Sequence, residues 1–241
     1  MKKLVCILVA ASACAAFQSF ALDDPDFKGM MLKPYAGKII ALRNLQTKFS
    51  SAELEEQALY FRWTYGYPMF VIGGTEVRKD IGIEIALVDS AFDPSLSLIA
   101  APEQFKAYFA TGMITADAPD RKRRELRMRL ELHRAIALAC GAGIANYQPC
   151  IMAPIHSTAD IDRMASREPG PECINNLEAG FRKAGIGKAL YQDYQQACQE
   201  GWAPAPTNDV QKAIWDKVHS IPDKPLKIQF DPATQKGKVT K

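Results

Sequence analysis

The chain has 241 residues, 48% of them hydrophobic, a composition that excludes a disordered protein and is enough for one good core. Thirty basic residues against 27 acidic give a net charge of +3, which falls to +1 once Lys2 and Lys3 leave with the leader described below. A balance this close to neutral offers no global field for nucleic acid or for a membrane surface.

The N-terminus reads as a secretory signal. Lys2 and Lys3 precede an uncharged run, Leu4 to Phe17, and Ser19-Phe20-Ala21 is a small-x-small cleavage site. The run is shorter than the ~20 residues that span a bilayer. Cys14, after Ala11-Ser12-Ala13, offers lipoprotein processing as a minor alternative. The organisation expected is a signal over 1–21, a single globular domain over 22–235 and a flexible basic tail over 236–241, located in the periplasm or secreted.

Residues 23–35 read as an irregular arm and 38–43 as a first short strand. Ser50 and Glu53 have capping-box spacing and open a helix with Leu54, Ala58, Phe61 and Tyr65 on one face, ended by Gly66 and Pro68. Met69 to Ile72 is a short apolar run. Ile83, Ile85 and Leu87 alternate as in a half-buried strand, and Pro102 to Phe109 reads as a short helix. The longest helix spans about Asp120 to Cys140, with Leu126, Leu130, Ile136 and Cys140 as its apolar stripe. Helical patterns recur over 172–183 and 188–200, broken at Gly185-Ile186-Gly187. Asn208 or Thr207 caps a last helix to His219, and Leu226, Ile228 and Phe230 alternate as a strand. No βαβ rhythm emerges. The class predicted is α+β, helix-rich, with a small antiparallel sheet.

Cys6 and Cys14 leave with the signal, and Cys140, Cys150, Cys173 and Cys198 remain. An even number in an exported chain predicts two disulfides, Cys140–Cys150 and Cys173–Cys198. Spacings without C-x-x-C argue against zinc or redox chemistry.

Motifs for chemistry are few. Glu131-x-His133 places its residues on different sides of a helix, no H-E-x-x-H or G-x-S-x-G occurs, and Gly185-Ile186-Gly187-Lys188 misses the phosphate-loop spacing at Arg182 and Ala189. No metal or cofactor is therefore expected. His156, near Asp160 and Asp162, offers the best setting for a catalytic base, although a helix cap at Ser157 or Thr158 accounts for the same residues. The basic run Arg121-Lys122-Arg123-Arg124, continued by Arg127, Arg129 and Arg134, reads as a solvated face or a docking site. Trp63, Tyr65 and Tyr67 belong to an aromatic segment suited to anchoring a partner. Its Tyr65-Gly66-Tyr67-Pro68 string resembles one in a family of exported bacterial proteins of unknown function. That family's later asparagine-aspartate-threonine segment is missing here, and no property is carried over.

These features lead to a primary expectation of a non-catalytic, immunity-like periplasmic binding protein that engages an envelope protein through Trp63, Tyr65, Tyr67, Arg123, Arg124 and Arg127. The alternatives are an envelope hydrolase using His156 with Asp160 or Asp162, and an envelope-associated structural protein held at the membrane surface by the basic helix.

Overall fold

A computed structural model describes residues 29–45, 47–89, 98–118, 120–145, 150–164 and 168–220, and the backbone alone of 227–231 and 236–240. The signal over 1–21, with Cys14 and its cleavage site, lies outside the described residues, as does Leu226.

The chain divides into two compact units, one of residues 34–191 and one of residues 1–33 with 192–241. The larger unit contains β2 (Ile39–Leu45), α1 (Ser51–Tyr65), β3 (Met69–Ile72), β4 (Ile81–Val88), β5 (Leu98–Ala101), β6 (Lys106–Ala110), α2 (Gly112–Thr115), α3 (Arg121–Ala139), α4 (Thr158–Met164) and α5 (Pro171–Ala184). The other unit carries β1 (Met30–Leu32), paired with β7 (Tyr191–Asp193), then α6 (Tyr194–Gln199), α7 (Asp209–His219) and the antiparallel pair β8 (Lys227–Asp231) and β9 (Lys236–Thr240). β9 occupies the stretch read as a flexible tail.

The sheet departs from the small antiparallel one expected. It has five strands in the order β3-β2-β4-β6-β5, with β3, β2, β4 and β6 parallel and only β5 antiparallel, on β6. The fold is thus mixed α/β. Central parallel strands are covered on both faces and lose the half-buried alternation. In β2, Ile39, Ile40, Ala41 and Leu42 are all buried. Ile40 and Leu42 join the main core with Ile83, Ile85, Ala107, Phe109 and the apolar faces of α1 and α3. Ile39 and Ala41 point the other way, into a small cluster with Ile72. Across that second face, Glu84 of β4 pairs with Arg43 of β2 at 3.1 Å and with Lys106 of β6 at 2.9 Å.

Local signals place the helices. Ser50 and Glu53 form the capping box of α1, and Gly66 closes it at φ 68°. Asp120 caps α3 and Asn208 caps α7. One helix expected from pattern is replaced by a strand, and another is cut short. Pro102–Gln104 makes one 3-10 turn, Phe105 turns left-handed at φ 52°, and the chain continues as β6, with Ala107 and Phe109 buried and Tyr108 outward. Over 188–200, Tyr191–Asp193 is a strand and the helix covers only Tyr194–Gln199, started by the capping box of Asp193 with Gln196.

The four cysteines carry free thiols, so neither predicted disulfide exists among the described residues. Cys140 ends α3 and packs on Gly180 of α5. Cys150 is held elsewhere, its Sγ accepting from the backbone N–H groups of Met152 and Gly170, each at 3.4 Å. Cys198 lies on α6, in the other unit. Even parity misled here, because a disulfide needs its sulfur atoms brought together in a specific geometry.

Candidate functional site

The long helix α3 is exposed over its first turn and sinks into the core after Leu126. Leu130, Leu132, Ala135, Ile136, Ala137 and Ala139 are buried, packing the helix on the sheet beside β4, β5 and β6. Among these apolar residues stand three ionisable ones, Glu131, His133 and Arg134, at 0%, 4% and 7% exposure. Buried charge is costly unless paired, which makes this half of α3 the most chemically unusual place in the larger unit.

The Arg134 guanidinium lies between two partners. Its Nε is 3.3 Å from Glu131 Oε1, an ion pair whose angle falls short of a hydrogen bond. Its Nη1 donates to the backbone oxygens of Ile151 and Ala153, the latter at 2.8 Å. These two carbonyls flank Met152, itself 1% exposed. Burial pulls the Arg134 pKa down, and the Glu131 carboxylate opposes that shift.

His133 faces a different surface. Its Nε2 is 3.5 Å from Tyr67 Oη, and the rings of Tyr65, Phe61 and Tyr67 surround it at 4.7, 5.6 and 5.7 Å. Burial lowers its pKa to about 4, so the imidazole is neutral near pH 7. Tyr65 in turn donates to Glu168 at 3.0 Å.

The residues singled out from sequence are scattered. Trp63 is partly exposed and packs edge-on to Tyr191 at 5.3 Å. Tyr65 and Tyr67 are half-buried, and Tyr67 meets Phe181 edge-on at 4.8 Å. Arg124 is half-buried and lines a shallow hollow with Glu53, Gln57 and Met128. Arg123 stands 3.7 Å from Asp162. Arg127, expected on a docking face, is 1% exposed. It forks onto Asp162 at 2.7 and 2.9 Å while its Nη1 caps the last carbonyls of α2. That fork holds the Asp162 carboxyl below its ordinary pKa.

His156 is exposed, and its ring makes no hydrogen bond with either aspartate. Asp160 accepts from the His156 backbone N–H at 3.0 Å and from Ser157 Oγ at 2.9 Å, while Ser157 Oγ accepts from the Asp160 N–H at 3.3 Å. Arg163 pairs with the same carboxylate. These contacts cap α4 and leave no assembled base. Among the described residues, no group of three or more His, Cys, Asp or Glu side chains is placed to hold a metal ion. The pair Glu131 and Arg134 carries one signal in the sequence, an acid and a base one turn apart within an apolar helix half.

No family model and no curated protein sequence matches the chain. Solved structures do. The archaemetzincin of Methanopyrus kandleri superimposes with a TM-score of 0.51 at 14% identity, over 62% of this chain and 98% of that one. An archaemetzincin of Archaeoglobus fulgidus (TM-score 0.45, 16% identity, 57% and 98% coverage) and a zinc-dependent peptidase of Methanocorpusculum labreanum (0.46, 11%, 57% and 99%) are also similar. The first likeness shows that this chain carries the archaemetzincin fold. It overturns the immunity-like, non-catalytic reading: the fold is shared with a solved archaemetzincin, and the hydrolase alternative fits it better.

Proposed function

We propose that this chain acts on polypeptides, as an exported protein of the metallopeptidase fold whose ligand is an extended chain beside α3. The observation that supports the reading is the fold shared with the M. kandleri archaemetzincin over nearly all of that protein's length. A second feature agrees with it. Among the described residues β5 pairs on one side only, with β6, and it packs beside α3. An edge strand presents unpaired N–H and C=O groups to which an extended peptide adds by backbone hydrogen bonding. Ile99 on that strand is 46% exposed.

The reading stops short of zinc chemistry. In the metzincin pattern H-E-x-x-H-x-x-G-x-x-H the histidines hold the ion and the glutamate works on its water. Setting Glu131 on the pattern's glutamate puts Leu130 and Arg134 at the paired histidines, Ala137 at the glycine and Cys140 at the third histidine. Leu130 has no donor atom and Arg134 is itself a cation. This residue set does not fit a zinc ion, and no reaction step is derived through one. His156 lies outside the helix and contributes nothing to the reading.

The test uses the full mature chain and a labelled, reduced and carboxymethylated unfolded polypeptide. Anisotropy reads binding, and the appearance of new amino termini reads cleavage, each with and without added zinc. Saturable binding, weakened at least threefold by Ile99→Lys with an unchanged thermal midpoint, is expected. Neither binding nor cleavage under any condition overturns the proposal.

A further inference from the structure

We infer that the Arg134 guanidinium is a built-in cation standing in for the metal of this fold, tying Glu131 to the turn at Ile151–Ala153 without an ion. The inference rests on the shared fold and on residue identities, not on the polypeptide ligand. Its starting point is the surroundings of Arg134. One carboxylate at 0% exposure and two inward carbonyl oxygens make an electronegative pocket inside the core. Such a pocket favours a cationic donor, because each of these groups has given up water.

A divalent ion and a guanidinium meet that demand differently. An ion needs three or four donors converging at ~2.0–2.3 Å. Leu130, one turn before Arg134, is apolar and buried. Cys140, at the position of the pattern's third histidine, ends α3 and packs on Gly180 of α5. A guanidinium instead spreads five N–H donors over a plane. Here that plane spans oxygen atoms on two separate elements: Nε faces Glu131 on α3, and Nη1 reaches Ile151 and Ala153 in the turn before α4. The cation is covalently part of the chain, so its occupancy does not depend on metal supply.

Metal content is measured on the purified full chain, and thermal unfolding is followed with excess chelator and with equimolar zinc. No stoichiometric zinc and an unchanged midpoint are expected. Stoichiometric zinc that disappears in Glu131→Gln would overturn the inference, as would a midpoint that drops on chelation in the wild type but not in that variant. A mutant cycle gives a second readout. Arg134→Met and Glu131→Gln should each lower the midpoint, by on the order of 10 °C for loss of one partner of a buried pair. The double variant should lose clearly less than the two losses added together. Strictly additive losses overturn the pairing. Where Arg134→Met gives no folded protein, Arg134→Gln, which removes the charge and keeps a donor, completes the cycle. Failure of the unfolded polypeptide to bind leaves all of these outcomes untouched.

Discussion

At the scale of single residues, α3 shows how burial changes what a charged side chain means. His133 sits among Phe61, Tyr65 and Tyr67 with its pKa lowered to about 4 from an ordinary 6.5, through loss of solvent. The unfolded chain therefore takes up this proton first as pH falls. The stability that neutral His133 permits is complete above about pH 6.5 and is lost progressively towards pH 4. Each pH step in that window costs up to ~1.4 kcal/mol. The thermal midpoint of the wild type should fall relative to that of His133→Gln between pH 6.5 and 4, and a gap independent of pH would contradict this. Arg127 makes the same point differently. Its place in a basic run suggested a solvated face, yet it is buried on Asp162. Nothing within the run distinguishes it from Arg123 or Arg124, because the partner that buries it belongs to another helix.

At the scale of elements, sequence reading worked where the determining contact is local. The capping box at Ser50 and Glu53, the Asp120 and Asn208 caps and the left-handed Gly66 and Gly185 termini all act within one turn. The reading failed at β6 and β7, where pairing with distant strands or a cap at Asp193 decides the backbone. Gly180 is a case where element packing sets a residue. A Cβ there would come 2.4 Å from the Cβ and 2.9 Å from the Cα of Cys140, where α5 crosses the end of α3. Gly180→Ala gains about 1 kcal/mol in helix propensity but forces the helices apart, at about 1–3 kcal/mol. Urea denaturation should show a net loss that Cys140→Gly partly restores. A stabilised Gly180→Ala protein would mean that the two helices are not in contact there.

At the scale of the molecule, the main core lies wholly within residues 34–191, from Ile40 to Ile186. A fragment of those residues should therefore unfold cooperatively, with far-ultraviolet and near-ultraviolet circular dichroism melting together. A fragment with no fixed aromatic signal would show that the second unit is needed for packing. Among the described residues no helix is long and apolar enough to cross a membrane. The candidate site was only partly legible. In the sequence Glu131 and His133 lie on different helix sides, which argues against a metal pair, and Arg134 continues a basic run.

From its sequence alone this protein has helix termini, an apolar β2, a long helix from Asp120 to Cys140 and a near-neutral charge. Caps and hydrophobic periods act over a few neighbouring residues, so they are written locally. Strand order, the free state of the cysteines and the burial of Arg127, Glu131 and Arg134 arose only in the folded chain. Each depends on which distant segments meet, and on whether a charge, once stripped of water, finds its counter-charge there.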